Sequence, residues 1–126
     1  MSTVTRATPV ATLEQELNTA VLAGEILEAF DRYYAEDVVM QENAATPVVG
    51  KAANRERELK FLASIEQFHG AQCLGSATAG NTSYSEWVLD VTFKGGIRVK
   101  MEQVAVRRWR DGQVTHERFY YNAGNA

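Results

Sequence analysis

Apolar and polar positions follow two rhythms along this chain, and the change comes near Gly70. From Thr12 to Leu22 the apolar residues Leu13, Leu17, Ala20 and Val21 recur at spacings of three and four, which predicts an amphipathic helix. Thr12 is its expected N-cap, with Gln15 three residues on to close a capping box. A second helix is predicted after Gly24, where Ile26, Leu27, Phe30, Tyr33 and Tyr34 share one face and Glu25, Glu28, Asp31 and Arg32 the other. The apolar triplet Val38 to Met40 reads as a short edge strand that carries Glu42 toward a loop marked by Pro47 and Gly50. Helical spacing then returns from Lys51 to Gln67 through Leu59, Phe61, Leu62 and Ile65, with Arg55, Glu56, Arg57, Glu58 and Lys60 expected in solvent.

After Gly70 the pattern becomes long β-rich runs: Ala71 to Thr78, Ser83 to Phe93, Ile97 to Arg110 and Gln113 to Asn122. Gly80-Asn81, Gly95-Gly96 and Asp111-Gly112 break them, and Asp-Gly between apolar alternations predicts that the last two strands pair as a hairpin. Helices first and strands last is the α+β order. Strands this long must twist and coil, so the expected architecture is a cone-shaped, curved antiparallel sheet packed on three N-terminal helices, with a hollow between the layers. Residues 1–8 lack periodicity and are expected to be a flexible tail, 9–122 a single domain, and 123–126 a C-terminal tail.

Composition narrows the partners. The net charge is −3, and the basic residues Arg98, Lys100, Arg107, Arg108 and Arg110 are interleaved with Glu102 and Asp111, which argues against nucleic acid. No apolar run is long enough to span a membrane, and the lone Cys73 and the absence of an apolar signal core point to a reducing, cytoplasmic setting. Side chains with metal-ligand spacing, a phosphate-binding glycine loop and a nucleophile motif are all missing, so no metal or cofactor is expected.

The segment LAGEILEAFDRYYAEDVVMQE (Leu22 to Glu42), the PVVGK run (Pro47 to Lys51) and the closing VRRWRDGQVTHERFYYN (Val106 to Asn122) resemble the nuclear transport factor 2-like superfamily. Within it the chain is most similar to the SnoaL-like polyketide cyclases and the ketosteroid isomerase relatives. The resemblance covers Thr12 to Asn122 and implies a small-molecule pocket; it does not imply one activity, because this fold hosts many. It places Glu42 at or near the isomerases' general base. Their oxyanion donors have no counterpart: Leu17 falls at one position and Val104, Ala105 or Val106 at the other, with Gln103 the nearest side chain able to donate. Steroid isomerisation is therefore disfavoured.

Strand alternation turns Val99, Met101, Gln103 and Ala105 toward the helices. A plain two-residue turn at Asp111-Gly112 would set His116, Arg118 and Tyr120 on the same face, whereas one bulge would replace them with Glu117, Phe119 and Tyr121. The candidate catalytic pair is Glu42, as base or acid, and His116, as proton shuttle. The candidate ligand-binding residues are Tyr34, Met40, Trp87, Met101, Gln103, Arg118 and Tyr120. Each also has a plainer role: Glu42 as a loop carboxylate, His116 as a strand hydrogen-bonder, Arg118 in an ion pair with Glu42, Asp90 or Glu86, and Trp87 in the core. The expected function is cofactor-independent acid/base chemistry of an isomerase, cyclase or dehydratase type on a small, mostly apolar carbonyl compound. The competing expectation is a non-catalytic ligand-binding or dimerisation module. A homodimer is expected through the convex face, where Val104, Val106, Phe119 and Tyr121 would offer apolar surface.

Overall fold

The computed structural model describes residues 8–123. Most of the expected N-terminal tail (1–7) and three of the four C-terminal tail residues (124–126) lie outside it. Three helices and six strands succeed one another among the described residues: α1 (Val10–Leu22), α2 (Ile26–Tyr33), β1 (Tyr34–Glu42), β2 (Val48–Val49), α3 (Lys51–Ser64), β3 (Ile65–Ala79), β4 (Thr82–Phe93), β5 (Ile97–Arg110) and β6 (Gln113–Tyr121). The strands form one curved, unclosed sheet in the order β2-β1-β6-β5-β4-β3, which is the expected α+β cone. No described helix is long and apolar enough to cross a membrane.

Local expectations needed four corrections. The first helix begins at Val10 on Pro9, without a side-chain cap, so the Thr12–Gln15 capping box does not form. Instead the Pro9 carbonyl accepts from the Thr12 and Leu13 amides. Tyr34 opens β1 rather than ending α2. β1 is no edge strand: it runs parallel to β6 on one side and pairs with the two-residue β2 on the other, and Val38 is fully buried. α3 stops at Ser64, because Ile65 and Phe68 pair with Phe93 and Val91 and extend β3 six residues earlier than periodicity suggested. Apolar residues spaced by three satisfy either rhythm until a partner strand chooses.

At the β5–β6 turn, Asp111 and Gly112 both have positive φ, 51° and 80°, as a type I′ hairpin requires. Trp109 and Val114 face each other as expected, but the next pair is Arg108 with His116, so Thr115 is an extra residue in β6. That bulge reverses the facing of everything beyond it.

Glu14 and Asn18 of α1 each directly follow a core residue, Leu13 and Leu17, and are themselves buried. They meet Arg107 of β5, whose Nη1 donates to Glu14 Oε1 at 2.9 Å and to Asn18 Oδ1 at 2.8 Å, while its Nε donates to Glu117 Oε2 of β6 at 2.6 Å. Ser85 donates to Glu14 and Tyr34 donates to Glu117. Every charge in this cluster is thus paired and hydrogen-bonded, which is the condition under which buried ions are tolerated. A second buried clamp fixes α3: the Asn54 amide, fully shielded, donates to the carbonyls of Gly50 (2.9 Å) and Val48 (3.0 Å). Replacing Arg107 with Ala strands two carboxylates, and the expected loss is about 3–5 kcal/mol, read as a lower urea midpoint at unchanged slope; a change below about 0.5 kcal/mol would show that the clamp is not the element that holds α1 to the sheet.

Candidate functional site

A cavity of about 380 Å³ lies between the concave face and the helices. α1 and α2 contribute Leu17, Val21, Ile26 and Phe30, the sheet contributes Met40, Trp87, Leu89, Met101 and Phe119, and α3 contributes Phe61. The wall is therefore largely apolar and aromatic. Its polar members are Gln41, Glu42, Arg57, Glu58, Gln103 and the buried floor of Tyr34, Arg107 and Glu117. Apolar lining with a few convergent polar groups is the usual composition of a small-molecule site.

The structure places six of the sequence candidates on this wall: Glu42, Tyr34, Met40, Trp87, Met101 and Gln103. Three do not line it. His116, Arg118 and Tyr120 fall on the other face of β6, and Glu117 and Phe119 take their place, because of the extra residue at Thr115. The proposed partnership of Glu42 with His116 across one pocket is thereby lost. His116 has its pKa lowered by burial and then by the neighbouring Arg108 and Arg118 charges. Arg118 forms no ion pair with Glu42, Asp90 or Glu86; its Nε donates to the Asn43 carbonyl at 2.8 Å and its guanidinium stacks over the Tyr120 ring.

Glu42 ends β1 at the cavity rim, with its side chain 46% exposed, and its Oε2 accepts from Arg57 Nη2 at 3.0 Å. Tyr121 also bonds to Glu42; burial first, and then the Glu42 charge and this bond, raise its phenol pKa. Glu42 is thus an engaged, half-exposed carboxylate. Glu117 is engaged more fully, as the acceptor for both Tyr34 and Arg107. Burial, followed by the Glu117 charge, lifts the Tyr34 phenol well above its ordinary range, so Tyr34 remains a donor.

Glu58 is different. It faces the cavity from α3 with no hydrogen bond or ion pair among the described residues. Burial pushes its carboxyl up to about 7, the Glu117 and Glu42 charges add to the rise, and Arg57 and Arg107 oppose it. A carboxyl poised near neutrality can both give and accept a proton. Sequence reasoning placed Glu58 in solvent, yet the signal was present: it stands three and four residues before Phe61 and Leu62 and four after Asn54, so it shares their helical face. Among the described residues no group of three His, Cys, Asp or Glu side chains could hold a metal ion.

The raised pKa has a consequence for stability. Between the unfolded value of 4.5 and the folded value of about 7 the folded chain holds the Glu58 proton more tightly, so its contribution is full below 4.5 and is lost as pH rises to 7. Glu58→Gln should therefore gain stability relative to the parent on going from acid to pH 8, by about 1–3 kcal/mol. Urea unfolding of both proteins across this range checks it, and a pH-independent difference would count against a perturbed Glu58.

A family model described as SnoaL-like domain matches residues 13–121. No match was found among curated proteins. Among solved structures, a Mesorhizobium loti protein described as a SnoaL-like polyketide cyclase is 26% identical, with a TM-score of 0.83 over 90% of this chain and 100% of that one. A Xanthomonas campestris protein described as a polyketide cyclase is 23% identical, with a TM-score of 0.74 and 90% of each chain covered. An M. tuberculosis LEH-like epoxide hydrolase shares the fold at 16% identity, with a TM-score of 0.73, over 92% of this chain and 84% of its own. The last two likenesses concern the fold alone. With the family model spanning nearly all of the described residues and the cone and its cavity both present, the chain belongs to the SnoaL-like domain family.

Proposed function

We propose that this chain binds a small, mostly apolar carbonyl compound in the cavity and moves a proton on it through Glu58, without a cofactor. The observation that carries this reading is a carboxyl without a hydrogen-bond or ion-pair partner among the described residues, held near pH 7, on a largely apolar and aromatic wall. In its charged form Glu58 would take a proton from a carbon beside the carbonyl, and in its neutral form it would return one elsewhere on the same molecule, as isomerisation, cyclisation or dehydration demands. Glu42 serves at the rim, where its bond to Arg57 orients the α3 residue next to Glu58. Tyr34, Arg107 and Glu117 hold the floor and keep a negative charge near Glu58, which maintains its basicity.

A nitro-substituted benzisoxazole is a suitable probe, because loss of its ring C–H proton to any base breaks the N–O bond and releases a coloured cyanophenolate. The expected result is turnover that rises with pH through a midpoint near 7, the value that burial gives Glu58, and falls roughly a hundredfold in Glu58→Gln. Replacing the exposed Glu102 with Gln is the control and should leave the rate unchanged. Turnover equal in the parent and Glu58→Gln would remove proton transfer and leave a ligand-binding module.

We also propose that two copies pair through the outer face of the sheet. Tyr84, Val104 and Tyr120 are exposed there by 40%, 37% and 44%, and the bulge at Thr115 has turned Phe119 and Tyr121 inward in their stead. An apolar patch of this kind suits a two-fold contact. Sedimentation should report a dimer at micromolar concentration that dissociates in Val104→Asp/Tyr120→Asp; a monomeric parent protein would refute it.

A further inference from the structure

The charges around the cavity leave it short of a cation. On the floor one guanidinium, Arg107, serves two buried carboxylates, Glu14 at 2.9 Å and Glu117 at 2.6 Å, whose other partners, Ser85 and Tyr34, bring hydroxyls and no charge. At the rim Arg57 is matched by Glu42 at 3.0 Å. Glu58 on α3 adds one more carboxyl and has no hydrogen bond or ion pair among the described residues. Its charge acts on Tyr34 of the floor, and it feels Glu117 and Arg107 of the floor and Glu42 and Arg57 of the rim; all of these line the cavity, so the carboxyl stands between floor and rim. Its oxygens are also reachable. Among the described residues the unpartnered side-chain atoms shut off from solvent are Trp87 Nε1 and His116 Nδ1, and the half-buried Glu58 contributes none. Phe30, Phe61, Trp87 and Phe119 line the same hollow, and the negative faces of aromatic rings attract organic cations, most strongly out of water.

We propose that the cavity also receives small organic ammonium ions, with the cationic nitrogen beside the Glu58 carboxylate and the apolar body against the aromatic wall. This rests on the cavity being a ligand site, as proposed above, and not on proton transfer. The ion brings the counter-charge that Glu58 lacks, and by engaging the base it excludes the carbonyl compound from the same space. A volume of about 380 Å³ lies at the small end of ligand pockets, so the occupant is a single-ring amine rather than a polycyclic one. Only charged Glu58 attracts it. Glu117 of β6 and Glu42 of β1 deepen the negative field, Arg57 of α3 and Arg107 of β5 weaken it, and Tyr34 of β1 stays neutral. Affinity for a permanent cation therefore rises with pH as Glu58 ionises.

The probes are benzyltrimethylammonium, which keeps its charge at every pH, and neopentylbenzene, the same shape with carbon in place of the charged nitrogen. Binding of each is measured from pH 6 to 8 for the parent and for Glu58→Gln. The expected result is a roughly tenfold gain in cation affinity across this range in the parent, centred near the value of about 7 that burial gives Glu58, with no gain for the hydrocarbon. In Glu58→Gln the gain disappears and cation affinity at pH 8 falls roughly tenfold. The pH series on the parent needs no variant to fold. Cation affinity that is flat with pH, equal in the two proteins, or absent while the hydrocarbon binds would overturn the ammonium site and leave the cavity and its proton transfer standing. Cation binding as expected, with benzisoxazole turnover equal in parent and Glu58→Gln, would uphold this site and remove proton transfer; binding of neither probe would overturn both.

Discussion

A buried guanidinium held between two carboxylates from different parts of the chain governs this architecture. Arg107 reaches Glu14 on α1 and Glu117 on β6, while Asn18 accepts from Arg107, Ser85 donates to Glu14 and Tyr34 donates to Glu117. Such a cluster is tolerable in a core only with every partner in place. That condition fixes the height of α1 above the concave face, the register of β6 against β5, and the floor of the hollow that remains.

The floor then sets the chemistry above it. Glu117 accepts from Tyr34 and Arg107, both at Oε2, and Glu42 has Arg57 and Tyr121 at the rim. Glu58 alone of the cavity carboxyls lacks a hydrogen-bond partner among the described residues, so desolvation and the Glu117 and Glu42 charges outweigh the opposing Arg57 and Arg107 and hold it near 7. Trp87 and Gln103, cross-strand neighbours on β4 and β5, belong to a different wall of the same cavity.

Much of the fold was legible because its signals are local. The face of α1, the punctuation at Gly24, the Asp111-Gly112 turn and the long β runs each depend on residues a few positions apart. The misplaced boundaries are those where local signals tie. Ile65 and Phe68 fit a helix face or a strand, and pairing with β4 decided for the strand. β1 read as an edge because its sequence is short and bordered by charge, but the parallel partner β6 lies over seventy residues away and leaves no local mark. In the site, Glu42, Tyr34, Met40, Trp87, Met101 and Gln103 were legible from position and alternation, while Glu58 was passed over because it sits within a run of charged residues that reads as solvated.

By itself the sequence determined element types, their order, the α+β class and the hairpin at Asp111-Gly112, because backbone period and turn geometry are short-range properties. Only the tertiary structure decided which side chains face the cavity. The phase of β6 depended on one extra residue at Thr115, and a shift of one residue reverses every later side chain. In the register adopted, Glu117 rather than His116 reaches Arg107, so a buried charge has its counter-charge. The proton affinity of Glu58 likewise arose from what surrounds it, since desolvation and the field of distant charges belong to the assembled cavity and not to the residue.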